Sequence, residues 1–185
     1  MDKRKIESAI RSILEAIGED LNRDGLKETP RRVADLYEDL FSGVGRDVAR
    51  EIRQYAVENY DGMILAHDLP LLSVCEHHLL PFVGKVHVVY IPRDDLIVGF
   101  SSLIQIVETL AKRPQLQERL TGQIADAMME VLKPAGVLVL IEAEHLCITM
   151  RGAQKPGTVT VTVATRGEMD SCSKRDEALA LIKGI

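Results

Sequence analysis

Three observations on this sequence predict an α+β fold, with N-terminal helices leading into a strand–strand–helix–helix–strand–strand unit. Apolar residues recur at helical spacing in the first 60 positions and again between 101 and 133. Alternating β-branched and aromatic patterns mark 83–91 and 158–165. The second helical stretch lies between two pairs of strands, which is an α+β order. No internal repeat and no low-complexity linker is visible, and the expected division is a helical region over 1–60 followed by a second domain over 61–185.

In the helical region, Ile6, Ile10, Ile13, Leu14 and Ile17 recur behind Asp2, a residue type that caps a helix start. Thr29-Pro30 reads as a cap followed by proline at the first helical position. Val33, Leu36, Tyr37 and Leu40 then form one apolar stripe that Gly43 closes, and 46–56 is expected to add a third helix. Asp20, Asn22, Asp24 and Gly25 imitate the start of a calcium-binding loop. Its twelfth position, which should be a bidentate Glu, is Arg31, so a plain Asp-Gly turn is expected.

From residue 62 the texture changes. The stretch 63–74 reads as a strand that Pro70 interrupts or bulges, and 83–91 as a strand closed by Pro92. Helices are expected over 101–112 and 115–133, separated at Pro114. The second carries Leu116, Leu120, Ile124, Ala127, Met128 and Val131 on one face. Strands over 136–145 and 158–165 and a short helix at 174–183 complete the chain.

Composition narrows the function. With 46% apolar residues, 4% aromatics and no Trp, the 185-residue chain builds its core from aliphatic side chains. A net charge of −5 argues against general nucleic-acid binding while leaving room for a local anion pocket. Charges scattered through the N-terminal stretch exclude a signal peptide, and no apolar run is long enough for a membrane span. Three cysteines, an odd number, fit a reducing cytoplasm and leave the thiols free for chemistry.

That chemistry concentrates in two short segments. Cys75-Glu76-His77-His78 and His145-Leu146-Cys147 hold two of the three cysteines and three of the five histidines. Two thiolates and one imidazole make a three-ligand zinc shell with a fourth position for water, and two histidines remain for proton transfer. His67 and His87, in strand-like stretches, are expected to be structural or solvent-facing, and Cys172 an exposed spectator.

The segments 75–82 (CEHHLLPF), 90–92 (YIP), 113–125 (RPQLQERLTGQIA) and 141–152 (IEAEHLCITMRG), with 28–37 (ETPRRVADLY), strongly resemble GTP cyclohydrolase I. The resemblance spans nearly the whole chain. It implies the tunnelling fold, in which ββααββ units assemble into barrel-shaped homodecamers with active sites at subunit boundaries. It implies zinc held by Cys75, His78 and Cys147, with His77 and His145 in proton transfer as water attacks C8 of guanine. The expected products are formate and dihydroneopterin triphosphate, on the route to pterins and folate. Gln117 and Glu118 match the pair that reads the guanine edge, and Ser101 and Arg151 match phosphate contacts.

The sequence also departs from that family. Ser102 and Gln105 replace a Lys and an Arg that contact the triphosphate, a loss of roughly 3–6 kcal/mol if uncompensated. Lys112, Arg113, Arg166 and Lys174 are candidate replacements. A paralogue using a guanine nucleoside or nucleotide without the triphosphate is one alternative. A non-catalytic assembly that binds a purine or pterin is another.

Overall fold

Asp2 starts the first helix as its residue type predicts. Its carboxylate accepts from the Lys5 N–H at 3.1 Å and opens α1 (Lys3–Ala16). The structure, a computed structural model, describes residues 1–48, 53–57, 60–151 and 155–184. α1 packs along α2 (Thr29–Leu40), and the two form a compact unit, Met1–Ser42. Lys3 ties the pair with ion pairs to Asp35 at 2.9 Å and Glu38 at 2.6 Å. Ile6, Ile10 and Leu14 are half-buried, whereas Ile13, Ile17 and Leu36 are exposed, so each apolar stripe is narrower than its periodicity suggests.

The cap of α2 differs from the expectation. Glu28 is the N-cap and Thr29 lies inside the first turn, its hydroxyl donating back to the Gly25 carbonyl at 3.3 Å. The loop before it is a turn, as expected. Asp20 accepts from the Asn22 N–H at 2.9 Å, and Arg31 pairs with Glu28 and Asp35 where a calcium loop would need a ligand.

The second unit is Gly43–Ile185. Its boundary falls earlier than the expected 60/61, because β1 (Gln54–Ala56) pairs antiparallel with β4 (Leu96–Val98). The expected helix over 46–56 is therefore a strand at its end, and its middle, 49–52, lies outside the described residues. The main sheet has the order β5–β2–β3–β6–β7, from β5 (Pro114–Gln115), β2 (Ile64–Cys75), β3 (Pro81–Ile91), β6 (Gly136–His145) and β7 (Val159–Gly167). All its pairings are antiparallel except β2 with β5. Between β3 and β6 the chain forms α3 (Phe100–Ala111) and α4 (Gln117–Leu132), giving the predicted strand–strand–helix–helix–strand–strand order.

α3 and α4 cover one face of this sheet. Ile106, Leu110, Leu120, Ile124 and Met128 pack there against Leu71, Phe82, Val86 and Ile141. Each fully buried aliphatic side chain of this kind is worth roughly 1.5–3 kcal/mol. A smaller core of Val89, Leu138, Met169 and Ala178 lies beneath α6 (Cys172–Lys183). The bulge in β2 falls between Ala66 and Leu69, with Asp68 at φ 57°, and Pro70 pairs within the strand opposite Lys85. Proline is tolerated because β5 reaches only Val74 and Cys75, leaving the other edge at Pro70 without a ladder partner among the described residues. No helix among the described residues is long and apolar enough to cross a membrane.

Candidate active site

β2 runs out at Cys75, and a five-residue turn returns the chain to β3. The Cys75 carbonyl accepts from the Leu79 N–H and its own N–H donates to the Leu80 carbonyl, both at 2.9 Å. Leu79 takes a φ of 53°, a left-handed conformation that a branched side chain adopts only under constraint. The turn is moored from the side. The Glu76 N–H donates to the Gln115 carbonyl at 3.0 Å, and its carboxylate pairs with Arg119. The Arg119 guanidinium holds the Glu76 carboxyl below the usual carboxylate range. His77 and His78 are left exposed at the tip, rings edge to face with centroids 6.3 Å apart.

β6 brings the second segment to the same end of the sheet. His145 closes the strand opposite Phe82 of β3, and the short helix α5 (Leu146–Thr149) carries Cys147 back towards β2. One donor atom from each of Cys75, His145 and Cys147 lies within 4.8 Å of the others. Two thiols and an imidazole at that spacing suit a soft to borderline cation such as zinc. Burial, then the neighbouring Cys75, pushes the Cys147 thiol up. His78 is not in this group. Its Nε2 meets the exposed Arg151 guanidinium.

α4 starts beside His145. Burial holds the His145 imidazole below its ordinary range, and the charge of exposed Glu118 works in the opposite direction. Gln117 is 1% exposed, with its side-chain amide wholly engaged inside the chain. Its side chain is turned away from any open face, unlike that of Glu118. Ser101 stands exposed on the first turn of α3.

The departures from the family pattern now have a setting. Ser102 is 3% exposed, and its hydroxyl accepts from the Arg53 N–H at 2.9 Å. Of the candidate replacement cations, Arg113 donates to the Gly43 and Arg46 carbonyls, Arg166 pairs with Asp126, and Lys174 pairs with Glu177. All three are committed within their own unit.

His67 and His87, expected to be structural or solvent-facing, stand together with ring centroids 4.6 Å apart around Asp68. His67 bridges Asp68, at 2.8 Å, to the Ile182 carbonyl, at 2.9 Å, so it ties α6 to the β2 bulge. Lys85 reaches the same carboxylate at 2.7 Å and already supplies the positive charge a metal would bring. Cys172 is exposed, as expected.

Sequence reasoning missed Phe82, Thr121 and Thr162, which surround His145 and Gln117. A signal existed in the alternation of Thr and Val on β7. The threonines Thr160 and Thr162 turn inward and the valines Val159, Val161 and Val163 outward, the reverse of a water-facing strand.

Comparison with known proteins follows the same geometry. The sequence pattern of GTP cyclohydrolase I matches residues 6–183. GTP cyclohydrolase 1 of Carboxydothermus hydrogenoformans is 58% identical over 183 residues, covering 98% of this chain and 95% of that protein. The proteins of the same name from Pelotomaculum thermopropionicum and Caldanaerobacter subterraneus are 55% and 56% identical, each over at least 97% of both chains.

Proposed function

The chain belongs to the GTP cyclohydrolase I family and has its tunnelling fold, and from that premise we propose that it opens the imidazole ring of GTP beside Cys75 and Cys147. It is a hydrolase of the cyclohydrolase type acting on a guanine nucleotide. The observation that carries the site assignment is the convergence of two thiols and an imidazole within 4.8 Å at one end of the sheet. Cys75, Cys147 and His78 would hold zinc. His145 lies nearer the two thiols, with its Nε2 engaged by Gln117, and His78 stands exposed on the turn directly after Cys75, at the position that matches the ligand histidine of the resemblance. Bound zinc brings the ionisation of water down to about pH 7.

His77 and His145 move protons while water adds at C8 of guanine. The C–N bonds to C8 break, C8 leaves as formate, and the ribose rearranges and closes the new ring. GTP and one water thus give formate and dihydroneopterin triphosphate. Glu118, exposed at the start of α4, accepts hydrogen bonds from the guanine N1–H and amino group. Ser101 and Arg151 take the triphosphate.

The test is parallel incubation of the zinc-loaded protein with GTP, GMP and guanosine, followed by formate and pterin detection. Formate from GTP is expected, and no formate from any of the three overturns the reading. A second reading, a substrate without the triphosphate, rests on Ser102 and Gln105 and on the committed state of Arg113, Arg166 and Lys174. Turnover of GMP equal to that of GTP would select it.

The outward valines of edge strand β7 support assembly with further copies of the chain. A homodecamer is the expected form, and a monomeric mass in sedimentation would overturn it. Three unpaired cysteines support a cytoplasmic setting.

A further inference from the structure

The hydrogen bonds around Gln117 can be assigned atom by atom, because several partners can act in only one sense. Its amide nitrogen lies 2.9 Å from the Thr160 carbonyl, 3.1 Å from the Ile141 carbonyl and 3.1 Å from Thr162 Oγ1. Carbonyl oxygens only accept, so this end of the amide is the NH2 group and cannot be the oxygen. Thr121 Oγ1 donates to the Gln117 main-chain carbonyl at 2.7 Å. Its hydrogen is therefore spent, and at 2.7 Å from Thr162 Oγ1 it must accept the Thr162 hydroxyl hydrogen. Thr162 is left with lone pairs towards Gln117, in agreement with the first assignment. The remaining amide atom, Oε1, lies 2.8 Å from His145 Nε2. An amide oxygen has no hydrogen to give.

We infer that Gln117 is a positioning residue that fixes His145 as its Nε2–H tautomer, leaving Nδ1 as the ring nitrogen through which His145 exchanges a proton. The buried threonine and carbonyl partners hold the amide from flipping, and the stacked Phe82 ring, 4.7 Å away at 8°, fixes the imidazole plane. This gives Gln117 a part distinct from reading the guanine edge, for which its side chain has no free atom. The inference rests on the proton-transfer role proposed for His145.

The test uses the full-length, zinc-loaded protein with GTP. Gln117→Met keeps length and burial but removes the acceptor. It should lower kcat roughly ten- to a hundred-fold, as loss of an outer orienting partner does, with KM unchanged. Gln117→Glu, buried as a neutral acid, can still accept from Nε2–H and should recover most of that loss. A raised KM with kcat intact in Gln117→Met would make Gln117 a base reader and overturn the inference. Lowered stability in both variants with unaltered kcat would reduce it to a packing residue, which also overturns it. Should Gln117→Met fail to fold, nuclear magnetic resonance of wild type with isotope-labelled histidine still decides. The His145 signals should show the proton on Nε2, and a proton on Nδ1 in the neutral ring refutes the assignment. Failure of the cyclohydrolase reading looks different, since wild type would then release no formate.

Discussion

Phe82 and His145 face each other across β3 and β6, their rings 4.7 Å apart and within 8° of parallel. The phenyl ring, with no exposure to solvent, is the floor against which the imidazole lies. Phe82→Leu keeps an apolar side chain but removes that flat surface. It should cost roughly 1–2 kcal/mol in denaturant titration. It should also lower formate release from GTP by more than the folded fraction explains, and activity tracking the folded fraction alone would count against the stack.

The metal assignment separates the two histidines. Purified protein should carry about one zinc per chain, lost in Cys75→Ala, Cys147→Ala and His78→Ala. His145→Ala should retain the metal and lose turnover. Metal analysis showing zinc lost in His145→Ala and kept in His78→Ala would exchange their roles.

Stability should fall in mild acid through His87. Burial holds this imidazole below its ordinary range, helped by His67 and Lys85 and opposed by Glu142 and Asp68. The unfolded chain therefore takes up the proton first, near pH 6.5. The contribution is fully present above that pH and is lost as the pH falls through the folded-state value. Urea titrations between about pH 8 and 5 should show this slope, and His87→Gln should flatten part of it. An identical slope in the variant would exclude His87 as a source.

Ser102 should matter to the fold and not to the substrate. Ser102→Ala deletes the acceptor for the Arg53 N–H and should cost about 1 kcal/mol. The KM for GTP should stay at the wild-type value, and a clear rise would mean that the hydroxyl reaches the phosphates after all.

How much of this was legible in the sequence depended on where the information lies. The strand 136–145 was found to the residue because its apolar run is bounded by Gly136 and by the His-Leu-Cys segment. The clustering of Cys75 with Cys147 was legible because thiols and imidazoles are rare. Residues 54–56 were misread as helix, since pairing with Leu96–Val98 is non-local and leaves no periodic trace. The Pro70 bulge was misplaced because Asp68, at the positive φ, gave no signal that proline did not outweigh. The burial of Gln117, matched to the guanine-reading pair, and of Ser102, matched to a phosphate contact, was not legible, because a polar residue in a helix looks the same whether its partners are ligand, water or buried carbonyls. Only the register of β6 and β7 beneath α4 separates these cases.

Cys75 and Cys147 are distant in sequence and share no strand pairing; β3 stands between β2, which carries Cys75, and β6, which leads into the short helix that carries Cys147. In the unfolded chain the two thiols are joined by a long loop, whose closure entropy keeps them apart. They meet only after β2, β3 and β6 have all found their register. A cation that requires both sulfurs therefore recognises the finished sheet and none of its parts. Loading of such a cation would come last in the life of the chain, and the ion, once held, would shift the balance against unfolding by mass action. Occupancy of the site by zinc would in this sense be a proofreading step: a chain with a slipped strand would be left without metal and without activity.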